Sequence, residues 1–310
     1  MRKVILFILL IFCASIGFAQ NPTKTKIDSV PVSEPKNWKH TVATQIGFSQ
    51  LSLNNWAAGG YGSISLNTFF NMNANYSKDN FIWDNQLQIG YGFIRSFDDG
   101  YKKSDDRFIF DSKLGYKAVD NLYFSAVYNF KTQFAEGYEK SVLVSNFFAP
   151  AYTSLGIGMD YKPKNNIAIN VAPITGKIVM VSDENLRVKY GNAIDKFCKF
   201  ELGAQIKIDT KLAVENFQAS SSLTLFSDYL NKPQNIKVNW DVNIDAKITK
   251  FFSATMRTYM IYDDTIKFLD KKDNIGNVVL NDAGEVIKVP GIQFKEIFSI
   301  GFSYTFFSKK

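Results

Sequence analysis

The sequence predicts an all-β protein: a transmembrane, antiparallel, up-and-down β-barrel of twelve strands with short periplasmic turns and longer extracellular loops. Three observations carry this. Apolar and polar residues alternate with a period of two over long runs, which gives each strand one greasy and one wet face. Most runs exceed ten residues, whereas soluble strands average about five or six. The connections between runs alternate short and long, as in outer-membrane barrels. Composition fits. The 310 residues are 46% hydrophobic and 15% aromatic, yet the mean hydropathy is only −0.11, because polar residues dilute apolar ones at short range.

The same composition excludes other classes. Such apolar content excludes disorder. Cys13 and Cys198 are too few for a disulfide scaffold. After Val4 to Ala19, no apolar run approaches the roughly 20 residues of a spanning helix. The formal net charge of +7 is modest and dispersed, and Arg2 and Lys3 supply part of it. A nucleic-acid partner is therefore not expected.

The chain divides into three segments. Arg2 and Lys3 precede the apolar stretch 4–12, and Gly17-Phe18-Ala19 offers small residues for a signal peptidase, so residues 1–19 read as a cleaved signal peptide. Bulky Phe12 before Cys13 argues against lipidation there. Residues 20–37, with Pro22, Pro31 and Pro35 among polar residues, read as a periplasmic linker. Residues 38–310 read as the barrel.

The strand runs follow in order. Run 38–50 places His40, Val42, Ile46 and Phe48 on one face. Run 62–77 sets Ile64, Leu66, Thr68, Phe70, Met72, Ala74 and Tyr76 against serines and asparagines, with Phe69 the exception. Run 81–96 sets Phe81, Trp83, Leu87, Ile89, Tyr91 and Phe93 against Asp84, Gln86, Gln88 and glycines. Run 107–119 carries inward Asp111, Lys113 and Lys117 beside Tyr116, and run 121–134 carries inward Lys131. Runs 151–162 and 166–181 meet at Pro163-Lys164-Asn165. Run 197–209 holds Cys198 and inward Lys199, Glu201 and Lys207, and turns at Asp209-Thr210 into run 211–227. Run 236–248 sets Val238, Trp240, Val242, Ile244, Ala246 and Ile248 against Lys237, Asp241, Asp245 and Lys247. Run 251–262 contributes Arg257 and Tyr262. Run 292–306 is the aromatic-rich closing strand: Phe294, Phe298, Ile300, Phe302, Tyr304 and Phe306 share a face opposite Lys295 and small polar residues. Many outer-membrane barrels finish with such a strand, which the barrel-assembly machinery reads; here Phe307-Ser308-Lys309-Lys310 follow it.

Short turns lie near 78–80, 120, 163–165, 209–210 and 249–250, and long loops at 51–61, 97–106, 135–150, 182–196, 228–235 and 263–291. Both termini then lie on the short-turn side. Loop 263–291 reads as a hairpin about Asp282-Ala283-Gly284-Glu285, and apolar residues in loop 135–150 suit packing at the barrel mouth or a protein partner. Tyr76, Phe81, Trp83, Tyr91, Phe93, Tyr116, Tyr262 and Phe306 fall where aromatic girdles meet the two membrane interfaces.

Four motifs add a resemblance. Asn55-Trp56-Ala57-Ala58-Gly59-Gly60, Phe148-Ala149-Pro150, Ala172-Pro173-Ile174-Thr175-Gly176-Lys177 and Leu225-Phe226-Ser227-Asp228-Tyr229 resemble a domain-of-unknown-function family of Gram-negative outer-membrane β-barrels. The resemblance implies a barrel in the outer membrane, surrounded by its lipids. It carries no catalytic residues.

For chemistry, the residues offer little. His40 is the single histidine and lacks the partner a base needs or the companions a metal needs. A lipid hydrolase pairing His40 with Ser63 would require opposite strand parities to meet. No enzyme activity and no cofactor or metal are expected. The inward set Asp84, Asp111, Lys113, Lys117, Lys131, Lys199, Glu201, Lys207, Lys237, Asp241, Asp245, Lys247, Arg257 and Lys295 has a basic excess. It reads either as a water-filled pore with mild anion preference or as charges pairing to plug the lumen. A narrow channel and a non-conducting accessory subunit are both consistent with the sequence.

Overall fold

The computed structural model describes residues 37–51, 63–96, 100–139, 141–164, 166–249 and 251–306. The signal and linker readings before residue 37, and the motif Trp56, Gly59 and Gly60, lie outside these residues.

Among the described residues, twelve long strands close into a barrel. They are β1 (Trp38–Leu51), β2 (Ser63–Lys78), β3 (Phe81–Ser96), β4 (Gly100–Val119), β5 (Leu122–Thr132), β8 (Ala151–Lys164), β9 (Ile167–Met180), β10 (Cys198–Val214), β11 (Phe217–Asp228), β12 (Ile236–Lys247), β13 (Phe252–Tyr262) and β16 (Gln293–Phe306). Each pairs antiparallel with its chain neighbour, and β16 closes on β1 with Val42 opposite Phe306 and Ile46 opposite Phe302. Closure leaves no open edge, the condition for strands in hydrocarbon. Two small ribbons lie in the loops: β6 (Gly137–Glu139) with β7 (Val142–Ser145), and β14 (Lys267–Asp270) with β15 (Lys288–Pro290).

The burial pattern is inverted relative to a water-soluble barrel. Phe298, Phe302, Ile157 and Ile174 are 63%, 69%, 62% and 64% exposed on the outside, while Glu201 is 0% and Asp160 1% exposed inside. An outward apolar belt around a polar interior is the membrane-spanning arrangement. Short turns are sharp: Asp79 and Asn121 take positive φ of 51° and 64°, a conformation Asn and Asp tolerate better than most residues.

Two boundaries differ from the sequence reading. β4 begins at Gly100 instead of 107, because loop residues 100–106 continue the ladder against β3 as far as Ser96 opposite Gly100. The turn expected at Asp209-Thr210 lies instead after Val214. Asp209 looks turn-like but is a strand residue that accepts a hydrogen bond from Ser222 at 2.7 Å across the ladder. Leu212 and Val214 beyond it lie exposed on the outside, 54% and 58%.

Loop 135–150 packs at the mouth through Leu143 and Ala149, while Val142 and Phe147 stay exposed. Ala149, Val179, Val181 and Leu186 form a small apolar core with Leu143, Tyr152 and Tyr190 against it. Its cover is the loop after β9, which holds a short helix, α1 (Glu184–Arg187), and a 3-10 turn, Val188–Tyr190. Asp183 caps α1 by accepting from the Asn185 amide at 3.0 Å. Burial pushes the Tyr190 phenol up to about 12, so it stays a donor, 2.8 Å from the Val144 carbonyl. Loop 263–291 is a standing meander: Lys271 pairs through its backbone with both Ile287 and Val279, and Gly284 turns the second hairpin at φ 77°.

Candidate functional site in the barrel lumen

The chemistry of this barrel is concentrated in its lumen, in three tiers. The outer tier surrounds Glu201, which is fully buried. Lys237 and Lys199 reach its Oε1 at 2.6 and 2.9 Å, and Lys177 reaches Oε2 at 3.2 Å. Lys237 and Lys177 also approach Asp263, at 3.3 and 3.9 Å. Burial alone would raise the Asp263 carboxyl, but Lys177 and Lys237 outweigh it and hold it below the ordinary carboxylate range. Lys177 lies 5.6 Å from the Tyr152 ring and 5.4 Å from the Phe226 ring.

Lys177 reaches the lumen through a bulge. Strict alternation from Ile167 would put it on the lipid face with Ile169 and Val171. Instead the register slips between Val171 and Ile174 against β8 and between Ala172 and Thr175 against β10. Pro173 and Ile174 both point outward, and Thr175 closes the kink by donating to the Ala172 carbonyl at 3.1 Å. Proline has no amide for the ladder, so a bulge is where it belongs in a sheet. Gly158 and Gly203 flank the kink, and a Cβ on either would overlap a neighbouring main-chain carbonyl, of Val171 or Ser227.

The middle tier spans the lumen. Arg107, on β4, lies 4.5 Å from the ring of Tyr259 on β13 and 5.2 Å from Phe69 on β2. β13 stands five places from β4 around the barrel, nearly the opposite wall. Lys295 on β16 pairs with Asp105 on β4, with three strands between them. Lys207 on β10 reaches Asp111 on β4 at 3.1 Å, again across three strands. Arg257 pairs with Asp245 and lies 5.7 Å from the Phe69 ring. The inward exception Phe69 is thus the aromatic floor for two guanidinium groups. Lys131 and Asp241 share this inward parity.

The inner tier contains Lys113 with Asp160 at 3.0 Å and Lys162 with Asp84 at 3.0 Å. Two residues of the predicted inward set lie at the rim. Lys117 pairs with Asp120 in the turn at 2.7 Å, and Lys247 is exposed at the end of β12. Six lumen charges escaped the sequence reading: Arg107, Lys162 and Lys177, and Asp105, Asp160 and Asp209. Asp263 of the outer tier was missed as well, and with Lys117 and Lys247 at the rim the basic excess of the predicted set shrinks to near balance.

The outer wall carries the aromatic residues. On the short-turn side, Trp38 stacks on His40 at 5.6 Å and meets Tyr76 and Trp83 at 5.1 and 5.9 Å. Phe81 meets Tyr116 at 6.2 Å. On the long-loop side, Tyr91 shares a hydrogen bond with Tyr101 at 2.6 Å, and Phe93 stacks on Tyr101. Tyr262 stands opposite Val238 at that end. Phe294, Phe298, Ile300 and Phe302 of the closing strand are exposed outward. Tyr304 and Phe306 are described by register alone, opposite Thr44 and Val42.

His40 pairs with Ala74 and Ser63 with Leu51, at opposite ends of the β1–β2 ladder. Eleven residues along a strand is roughly 36 Å, so the two register positions lie far apart. Cys198 is exposed at the start of β10. Among the described residues, no group of three or more His, Cys, Asp or Glu side chains could hold a metal ion.

The motifs Ala172–Lys177 and Leu225–Tyr229 do meet. Tyr229 donates to the Pro173 carbonyl at 3.0 Å. Gly176 lies on the outward side of the same kink, its nearest neighbour being the Phe200 ring.

Comparison with solved structures returns other barrels at low identity. The COG4313 outer membrane channel from Pseudomonas putida F1 is 11% identical, covers 92% of this chain and 100% of its own, and gives a TM-score of 0.37. The translocator domain of the autotransporter NalP from Neisseria meningitidis is 8% identical, with coverage of 97% and 95% and a TM-score of 0.34. The P. putida toluene transporter TodX is 8% identical, with coverage of 89% and 92% and a TM-score of 0.25. No curated protein matches the chain. Residues 48–138, from the end of β1 into β6, match the family described as "Protein of unknown function (DUF3078)", the kind of family that the chain's motifs resemble.

Proposed function

We propose that the chain is an outer-membrane barrel of a Gram-negative cell whose lumen is closed by its own side chains, and that it works as a non-conducting structural or accessory subunit. The observation that carries this is the Arg107–Tyr259 contact at 4.5 Å, which joins nearly opposite walls. Below and above it, Lys207–Asp111 and Lys295–Asp105 bridge strands that are not neighbours. A solute would have to break several half-buried ion pairs to pass, and each broken pair leaves a charge without its partner. The exposed meander 263–291 offers a surface to a partner: Ile275 is 85% and Leu280 53% exposed there. The barrel wall supplies the anchor. No catalytic step is assigned.

A second reading has its own support. The lysines gathered in the outer tier, Lys177, Lys199 and Lys237, suit a narrow channel that admits anions, opened by rearrangement of that tier. Crosslinking in intact cells, followed by gentle purification, separates the two. The accessory reading expects a stoichiometric partner that is lost when residues 271–288 are replaced by a short turn. A monodisperse monomer that conducts anions would overturn it in favour of the channel.

A further inference from the structure

The outer wall of the barrel is uneven. A groove of about 460 Å³ opens on the outside between β3, β4, β5 and β8, walled by Phe81, Trp83, Leu114, Tyr128 and Leu155 around the small Ala126. A hollow of about 270 Å³ adjoins it, sharing Phe81, Leu114 and Ala126. The register explains the shape. Trp83, Leu114, Ala126 and Ile157 form one cross-strand row, and the single methyl of Ala126 makes a notch among large side chains. The wall is held in place: the Trp83 indole donates to Ser112 at 2.9 Å, and Ser112 donates to Asn85 at 2.8 Å.

The groove's position identifies its occupant. It runs from the row of Phe81, beside the short turns, to the row of Leu155 and Tyr128. That is four residues along the strands, or about 13 Å. The span is under half of the roughly 30 Å hydrocarbon core, so it lies within the leaflet on the short-turn side. At its foot, Lys78 is the register partner of Phe81 and shares the outward parity of Tyr76, with its side chain exposed. A cation at the headgroup level below an apolar notch matches one kind of molecule: a phosphate ester carrying a long alkyl chain.

We propose that this groove holds one acyl chain of an inner-leaflet phospholipid, with its phosphate on Lys78. The proposal rests on the membrane reading above and adds a specific site to it. Native mass spectrometry of the full chain, purified from membranes in mild detergent, tests it. The expected result is one retained phospholipid per chain, lost in Ala126→Phe, which fills the notch, and lost in Lys78→Glu, which repels the phosphate. Ala219→Phe, on the lipid face of β11 away from the groove, should keep the adduct. Heat-modifiable migration in gels reports that each variant folds, and Lys78→Glu carries the test if Ala126→Phe does not. A folded, membrane-derived barrel with no retained lipid, an adduct unchanged in both variants, or a second copy crosslinked through the groove overturns the proposal and leaves the membrane reading standing. Recovery of the chain from the soluble fraction overturns the membrane reading itself.

Discussion

Tyr229 and Pro173 stand 56 residues apart, and the Tyr229 phenol donates to the Pro173 carbonyl across 3.0 Å. The contact ties the end of β11 to the bulge in β9, across β10. Tyr229→Phe removes the donor and keeps the ring. Because Tyr229 is half exposed, the expected loss is about 0.5–1 kcal/mol. Equilibrium urea unfolding in lipid vesicles reads it as a lower midpoint at unchanged slope. An unchanged midpoint would mean that the bond contributes nothing.

The glycines around the bulge make a sharper contrast. Gly203→Ala puts a methyl into the Ser227 carbonyl, and backbone cannot move aside as a flexible side chain can. Loss of the heat-resistant folded form is expected. Gly176→Ala meets only the Phe200 ring at 3.4 Å, an ordinary van der Waals distance, and should fold like the parent. Equal behaviour of the two variants would contradict the packing described for this kink.

Glu201 is the sole carboxylate shared by Lys177, Lys199 and Lys237 among the described ion pairs. Glu201→Gln leaves these ammonium groups facing one another with Asp263 as the remaining anion nearby. The expected cost is about 3 kcal/mol or more, because an uncompensated buried charge is worse than an absent pair. Restoring balance with Glu201→Gln plus Lys237→Met should recover much of it, measured in the same unfolding assay. Strict additivity of the two changes would show that they do not interact.

Asp263 makes the outer tier respond to acid. Its carboxyl is held below the ordinary carboxylate range, despite burial, by Lys177 and Lys237. A depressed folded-state value means that the charged form stabilises the fold. That contribution is complete above the unfolded value of about 3.9 and is lost as pH falls through the folded value. Hydrogen exchange at the Thr265 and Ile266 amides should therefore stay slow at neutral pH and accelerate only in strong acid. Asp263→Asn should flatten the profile. Acceleration beginning near pH 6 would place the titrating group elsewhere.

Much of this fold is legible in the sequence because period-two alternation survives wherever one face meets lipid and the other meets polar groups. The closing strand shows it best, with Phe294, Phe298, Ile300 and Phe302 on one parity. Alternation fails where an extra residue enters. Pro173 flips the parity of β9, so Lys177 is invisible as a lumen residue unless the bulge is known. Turn chemistry misleads at Asp209, whose partner Ser222 lies on another strand. The contact of Arg107 across the lumen is hidden for a different reason. Arg107 sits at the start of a periodic run, and nothing local says that its partners are Phe69 and Tyr259 on distant strands. Parity assigns a side chain to the lumen; only the closed ladder says what it meets there.

Single-channel recording in planar bilayers tests the central claim most directly. The parent barrel, inserted at neutral pH, should give no discrete conductance. Arg107→Ala combined with Lys295→Ala and Lys207→Ala removes the cations that bridge the lumen, and should give resolved current steps in barrels that still fold. Steady, discrete conductance from the unmodified barrel would contradict a lumen closed by Arg107 against Tyr259.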